Sequence, residues 1–199
     1  MTSTDLLFDA PGQHPLPEIR SWFEHAIEQG VSEPGAMAFA TVGRSGCPSN
    51  RIIQLLDVTR EGLVFATHAQ SLKGREIEHT SWGSGVLYWR ELKRQMTVSG
   101  HVLPLPDTES DRLWEARPLE SRAMSSVSRQ SAVLHDEQSL RESARQMLSA
   151  PALPRPAGWK GYVLRPAVVE FWEFSPDRLY KRLRYEAVGS NWSCWRLQP

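Results

Sequence analysis

The sequence of 199 residues has no long hydrophobic run and no excess of charge of either sign. No apolar stretch approaches the roughly 20 residues that a membrane-spanning helix needs. Lys plus Arg and Asp plus Glu number 23 each, which argues against nucleic acid or an anionic membrane as a partner. The first residues also lack the basic segment and long apolar stretch of a signal peptide. We therefore expect a soluble cytoplasmic protein.

Cysteine is scarce, and the common catalytic motifs are missing. Cys47 and Cys194 cannot by themselves form a disulfide framework or a zinc site. The six histidines show neither an H-E-x-x-H motif nor another ligand spacing, so we expect no metal site. The chain contains no G-x-S-x-G nucleophile elbow and no G-x-G-x-x-G fingerprint, and GRSG at 43–46 reads as a turn.

Short strand patterns dominate what is present, with helical patterns between them. Hydrophobic residues make up 40% of the chain and include 8 Trp, enough for a substantial core. We predict strands at 36–42, 51–58, 63–67, 85–89 and 94–105, and later at GYVLRP with VVEFWEF next to it, at RLYKRLRYEA and at NWSCWRLQP. We predict helices from Glu18 to a stop at Gly30, from 71 to 79 with Ser71 as N-cap, from 107 to 116 and from 136 to 150. Residues 117–131, rich in Ser and Arg and without a clear period, indicate a functional loop.

This order of elements predicts a mainly β, α+β fold, an antiparallel barrel with peripheral helices. A doubly wound sheet is disfavoured because strands and helices do not alternate regularly. We expect a flexible N-terminal arm at 1–17 and a single domain at 18–199.

Several segments combine strand character with cations and amides. They are residues 51–54, 67–73, 94–100 and 128–131, with Trp172 and Arg182 as a fifth pair. Each segment alone is explained by solvation of a strand end or a helix face. Together they suit a ligand with a phosphate, a polar chain and a flat apolar body.

These segments carry a resemblance to a known family. From about residue 18 to 199 the chain resembles the pyridoxine 5′-phosphate oxidase family of FMN-binding split barrels. The family-like stretches are EPGAMAFATV, SNRIIQLL, VFATHAQSLKGREI, the RQ of LKRQMTVSG, ARP at 116–118, SSVSRQS, VEFW, RLYKRLRY and WRLQP. Within the family the chain is most similar to the phenazine-biosynthesis flavin oxidases, notably in SGVLYWRE, MSSVSRQS, RLRY and RLQP.

The resemblance implies a split β-barrel that binds FMN as its cofactor. Arg51 and Lys73 match the family's cations for the FMN phosphate, and Thr67 and Ser71 add hydroxyls. The strand Ile52, Ile53 and Gln54 would border the isoalloxazine ring, and Gln95 would supply an amide near the ring or the ribityl chain. Ala66 and Leu72 stand where the pyridoxine enzymes often have Tyr and Arg, which leaves backbone contacts at most.

The resemblance also implies a homodimer with FMN at the subunit interface. Gln130, Ser131, Trp172 and Arg182 match residues that the family supplies from the second subunit. The C-terminal strands, within 159–199, would form the dimerisation region.

Substrate selection is where the chain departs from the pyridoxine enzymes. Four family positions that hold the substrate phosphate read Leu56, Leu113, Arg117 and Ser121 here. Two charge-assisted or hydroxyl contacts are thereby lost, at roughly 1.5–3 kcal/mol for each bond to a charged group. The family's R-x-H pair reads Arg178 and Tyr180 around Leu179. A larger, flatter substrate with carboxylates fits better, and Arg117, Ser121, Arg178 and Tyr180 are its candidate contacts.

The implied function is FMN-dependent oxidation of dihydro- or tetrahydro-phenazine carboxylates. The flavin N5 would accept hydride, and O2 would reoxidise the flavin and give H2O2. No side chain is assigned as acid or base. Two alternatives stay open: a pyridoxine or pyridoxamine 5′-phosphate oxidase with an altered pocket, and a flavin- or haem-binding split barrel without turnover.

Overall fold

The computed structural model describes residues 7–199, which form one antiparallel sheet and flanking helices. The helices are α1 (Pro15–Glu28), α2 (Leu72–Thr80), α3 (Asp107–Glu115), α4 (Leu119–Val127) and α5 (Glu137–Leu148). The strands are β1 (Ala36–Val42), β2 (Pro48–Gln54), β3 (Asp57–Val58), β4 (Leu63–His68), β5 (Trp82–Trp89), β6 (Arg94–Pro104), β7 (Trp159–Glu173), β8 (Lys181–Val188) and β9 (Asn191–Arg196). The mainly β fold with peripheral helices confirms the predicted fold class.

The sheet runs β2-β1-β5-β6-β7-β4-β3, and β8 pairs with both β7 and β9. It curls on itself between β2 and β3. Strand β2 pairs with β1 as far as Gln54. The chain then bends at Leu55 and Leu56, and the next strand, β3, pairs with β4 instead. The Leu56 N–H donates to the carbonyl of Val64 at 2.8 Å and so fixes this crossing. The bend brings the two ends of the strand order toward each other and gives the sheet the curvature of a barrel.

Aromatic side chains fill the barrel. Phe39, Phe65, Phe171 and Tyr185 are fully buried, and the rings of Phe39 and Phe65 lie 5.1 Å apart between centroids. Trp22 brings α1 onto this core through an edge contact with Phe171 at 5.0 Å. The alternation of buried and exposed residues along β1 and β6 is that of strands with one face in a core.

Strand β7 is the longest element, with 15 residues, and it connects the two parts of the sheet. Its start pairs with β4, its end pairs with β8, and β6 pairs with it from Tyr162 to Glu173. The β6–β7 register shifts at Ser99 and Gly100, which bends the pair. One strand therefore positions residues at both ends of the molecule.

Most predicted elements are present, and three differ. The predicted loop at 117–131 contains α4, because Ala123 turns a buried face toward the neighbouring α5 and Pro118 starts the helix. The predicted strand 51–58 is divided by the bend that closes the barrel. The first helix begins at Pro15 rather than at Glu18.

The predicted N-terminal arm lies partly outside the described residues, at 1–6. In its described part, Leu7 and Phe8 are buried in the main core cluster. No helix formed by residues 7–199 is long and apolar enough to cross a membrane.

Gly100 at the bend of β6 should not tolerate a side chain. A Cβ at this position would lie 1.9 Å from the carbonyl oxygen of Arg165 and 2.8 Å from the nitrogen of Ala167. Both are backbone atoms and cannot rotate away. We expect Gly100→Ala to lower the free energy of unfolding by about 2–3 kcal/mol or more, measured by urea denaturation. Gly12→Ala is the matched control, because its nearest contact is 3.6 Å away; equal stability of the two variants would contradict the account.

Candidate functional site

Most of the predicted site residues fall into two groups in the folded chain. The first, named here the Lys73 group, lies where β4 meets α2. It consists of Arg51, Thr67, Ser71, Lys73, Gln130 and Ser131. The second, named the Trp172 group, lies on and beside the far end of β7. It consists of Gln95, Trp172, Arg178, Tyr180 and Arg182.

Three residues that are close in sequence form the centre of the Lys73 group. Thr67 is near the end of β4, Ser71 caps α2 by accepting from the Gly74 N–H at 3.2 Å, and Lys73 is in the first turn of α2. The Lys73 Nζ donates to the Thr67 Oγ1 at 3.3 Å. All three side chains are buried. Their position puts hydroxyls, an ammonium group and helix N–H groups in one place, which suits an anion.

Arg51 joins this group through a carboxylate that sequence reasoning missed. Glu76, one turn after Lys73 on α2, accepts from Thr41 at 2.5 Å and from Ser49 at 2.6 Å, and pairs with Arg51 at 3.3 Å. Burial alone would raise the pKa of Glu76, but the bonds from Ser49, Thr41 and Arg51 outweigh it and lower the pKa. An ionised Glu76 thus orients the Arg51 guanidinium. The sequence offers one signal for Glu76: it follows Lys73 by three residues on a predicted helix, which places both side chains on one face.

Lys73 is a buried cation without a carboxylate partner among residues 7–199. Its pKa is lowered, first by burial and then by the charge of Arg51. Holding two cations near each other out of water is unfavourable unless an anion binds between them. The residues present therefore fit a phosphate group.

Gln130 and Ser131 lie in this group within the same chain. The Thr67 Oγ1 donates to the Gln130 Oε1 at 3.1 Å, and the Leu72 N–H donates to the Ser131 Oγ at 3.2 Å. The resemblance implied that a second subunit supplies them. Within the single chain, α4 leads back so that 128–131 covers the end of β4; their supply by a second subunit stays a prediction. A cavity of about 480 Å³ opens beside them, lined by His68 and Arg75 among others.

The neighbouring backbone positions offer limited side-chain contacts. Ile52 is 66% exposed on β2, whereas Ile53 points into the core. The Gln54 side chain donates to the carbonyl of Leu55 at 3.3 Å. Ala66 packs against the second, smaller core cluster. The Leu72 side chain is exposed and apolar, and the residue's polar contact is its backbone N–H, which donates to Ser131.

The Trp172 group is held by strand register. Gln95 on β6 and Arg182 on β8 both pair with Trp172 on β7. The Arg182 guanidinium bonds to Glu170 at 2.8 and 2.6 Å. The Tyr180 ring lies 5.2 Å from Trp172, and Arg178 donates to the Tyr180 hydroxyl at 3.0 Å. An indole, a phenol and two guanidinium groups here suit a flat anionic ligand.

The two groups are far apart within one chain. Thr67 pairs with Lys160 near the start of β7, whereas the second group starts at Trp172, 12 residues along the strand. At about 3.3 Å per residue this is roughly 40 Å of strand. The register therefore places the two groups at opposite ends of β7 within one chain.

Arg117 lies near the Lys73 group, beside two indole rings that contact each other edge-on at 5.2 Å between centroids. Its Cζ is 5.4 Å from the Trp114 ring centre and 5.2 Å from that of Trp159, and it donates to the Ser125 Oγ at 3.0 Å. Ser121 is half-buried at the start of α4. Leu56 is 42% exposed, whereas Leu113 is buried in the smaller core cluster. Leu113 is therefore a core residue in this chain.

Two family profiles cover most of the chain. The profile described as "Pyridoxamine 5′-phosphate oxidase" matches residues 23–149. The profile described as "Pyridoxine 5′-phosphate oxidase C-terminal dimerisation region" matches residues 159–199. The second match contains β7, β8 and β9, and hence most of the Trp172 group.

Individual relatives match over nearly their full length. Dihydrophenazinedicarboxylate synthase of Burkholderia lata is 43% identical, over 99% of this chain and 95% of the relative. Pyridoxine/pyridoxamine 5′-phosphate oxidase of a Cyanothece species is 38% identical, over 94% and 89%. The crystal structure of PhzG from Burkholderia lata in complex with tetrahydrophenazine-1-carboxylic acid matches with a TM-score of 0.95 at 43% identity, covering 97% of this chain and 96% of that one.

His68 should make stability depend on pH. Its Nε2 is buried without a partner in the described part of the chain, and burial, Arg117 and Lys73 lower its pKa below 6.5. The unfolded state then binds more protons near pH 6, so the free energy of unfolding rises with pH through this range. His68→Asn should reduce the rise between pH 5.5 and 7.5, by at most about 1.4 kcal/mol per pH unit. Urea unfolding at several pH values measures it, with exposed His135→Asn as control; identical slopes for all three proteins would contradict the assignment.

Proposed function

This chain belongs to the pyridoxamine 5′-phosphate oxidase family, and we propose that it is an FMN-dependent oxidase of reduced phenazine carboxylates. The observation that carries the proposal is its near full-length similarity to the Burkholderia lata dihydrophenazinedicarboxylate synthase and to PhzG bound to tetrahydrophenazine-1-carboxylic acid. The site geometry supports it through two cationic groups suited to a phosphate and to a flat anion.

In this proposal the Lys73 group holds the FMN phosphate. Lys73 and Arg51 supply charge, Thr67 and Ser71 supply hydroxyls, and the start of α2 supplies N–H groups. Glu76 keeps Arg51 in place and leaves this part of the site with a net positive charge. Gln130 and Ser131 close the site from the outside.

The Trp172 group would come from a second copy of the chain. The matched dimerisation region supports a homodimer, and the separation along β7 requires another molecule if both groups are to meet one flavin. Gln95, Trp172 and Arg182 would then contact the ring system of the flavin bound by the partner. Ile52, which is exposed on β2, would be buried against apolar groups in such a dimer.

The chemistry that FMN supplies when bound is acceptance of a hydride from the reduced ring, followed by electron transfer to O2 with release of H2O2. The protein's own residues bind and orient the substrate. Arg117, held beside two indoles, and Arg178 would meet carboxylates, while Ser121 and Tyr180 would add hydroxyl contacts. Aromatisation of the substrate supplies driving force, so the proposal assigns no side chain as a general base.

Leu56 explains the preference for a substrate without phosphate. Its exposed apolar side chain lies where the pyridoxine 5′-phosphate oxidases have a lysine. It offers no hydrogen-bond donor to a substrate phosphate. Leu113 is buried and offers none either. A pyridoxine 5′-phosphate oxidase activity is the competing function, supported by the 38% identity to such an enzyme.

Anaerobic bleaching of the bound flavin tests the proposal. FMN-loaded protein is mixed in a stopped-flow instrument with tetrahydrophenazine-1-carboxylate and, separately, with pyridoxine 5′-phosphate. We expect rapid bleaching by the tricycle and slow bleaching by the phosphate ester. Leu56→Lys should speed the second reaction by about tenfold or more, because one charge-assisted bond is worth about 1.5–3 kcal/mol.

Leu148→Lys is the matched control. Leu148 is 39% exposed at the end of α5, so the variant makes the same substitution at a position outside the site. Faster bleaching of the wild-type protein by pyridoxine 5′-phosphate than by the tricycle would make the vitamin oxidase the correct function. A protein that retains flavin but is bleached by neither compound would favour a binding protein without turnover.

A further inference from the structure

Most partly buried arginines of this protein are paired with carboxylates. Arg94 bonds to Glu173 at 2.8 Å, and Arg155 bonds to Asp107 at 2.8 Å and to Asp111 at 2.6 Å. Arg51 and Arg182 have Glu76 and Glu170. Such pairing is the usual condition for removing a guanidinium from water.

Arg122 departs from this pattern. It lies in the first turns of α4, where its N–H donates to the carbonyl of Pro118 and its carbonyl accepts from the Ser126 hydroxyl at 2.9 Å. Its Nε is buried, yet within residues 7–199 its side chain forms no hydrogen bond and no ion pair. A guanidinium in this condition costs stability, because desolvation is not offset by any partner.

Arg117, two residues before the start of α4, is a second half-buried arginine in this part of the chain. It too forms no ion pair with a carboxylate of the described residues; its partners are Ser125 and two indole rings. Its pKa is lowered, first by burial and then by the charge of Arg122. Two half-buried guanidinium groups of like charge thus flank the start of α4, one just before its N-cap Pro118 and one in its first turns.

We propose that Arg122 is a substrate-binding residue that forms, with Arg117, a two-arginine subsite for a ring carboxylate. Two guanidinium groups match the lone pairs of one carboxylate, and the indoles of Trp114 and Trp159 fix one of them. The anion would remove the repulsion between the two cations. The inference rests on the proposed function, because it takes the substrate to be a carboxylate.

The subsite has a consequence that a structural arginine would not have. Without ligand, Arg122 is repelled by Arg117 and has no partner, so Arg122→Gln should raise the thermal unfolding midpoint of the FMN-loaded protein. With a carboxylate ligand present, the same substitution should weaken binding. An arginine that merely supports α4 predicts a lower midpoint instead.

Binding of two related ring systems to FMN-loaded protein tests the subsite. Phenazine-1-carboxylate and unsubstituted phenazine are titrated against the flavin absorbance of the wild type, Arg122→Gln and Arg122→Lys. We expect Arg122→Gln to weaken phenazine-1-carboxylate by about tenfold or more and phenazine by less than about twofold. Arg122→Lys should recover part of the loss, since it restores the charge but not the planar fork.

Arg141→Gln is the matched control, because it removes the same charge from the neighbouring α5, where Arg141 is exposed and bonded to Glu137. Equal weakening of both ligands by Arg122→Gln, or no weakening of either, would overturn the proposal. If the wild type retains flavin and binds pyridoxine 5′-phosphate but neither phenazine, the proposed function has failed instead.

Discussion

Strand β7 hydrogen-bonds to β6 along its length, to β4 at its start and to β8 at its end. The arrangement of functional residues depends on this. Thr67, opposite the start of β7, brings the cap of α2 and Lys73 with it. Trp172, near its end, brings Gln95 and Arg182 by register. Because the strand is extended, the two groups lie at opposite ends of it, which favours the proposed site built from two copies of the chain.

Unbalanced positive charge is the second constraint. Formal charge is balanced over the whole chain, but Lys73, Arg117 and Arg122 are at least half-buried and form no ion pair with any carboxylate in the part described. Glu76 compensates one cation, and does so while orienting Arg51. Such an arrangement gives up stability in the free protein and recovers it when anions bind. A phosphate bound beside Lys73 and a carboxylate bound beside Arg117 and Arg122 would balance this positive charge.

The sequence predicted best where a local signal was sufficient. Ser71 at the start of a short helical segment identified the cap of α2, and short strand patterns between turns identified β1, β4 and β6. The helix α4 was missed because its Ser-rich face hides the period, and its burial depends on α5. The break after Gln54 follows from pairing with β4, which no local pattern contains. Thr67, Ser71 and Lys73 are neighbours in sequence and were found together, whereas Glu76 as the partner of Arg51 and the contact of Thr67 with Gln130 depend on tertiary packing.

The most direct measurement of the central claim is the FMN content of mixed dimers. Lys73→Met disables the first group and Arg182→Ala the second, and each variant purified alone should lose FMN. Co-expressed, they should regain about a quarter of the sites, since about half of the dimers are mixed and each mixed dimer has one intact site of two. Trp172→Ala co-expressed with Arg182→Ala should regain none, because both changes affect the same group. A mixture of Lys73→Met and Arg182→Ala that also regains none would contradict a site shared between two chains.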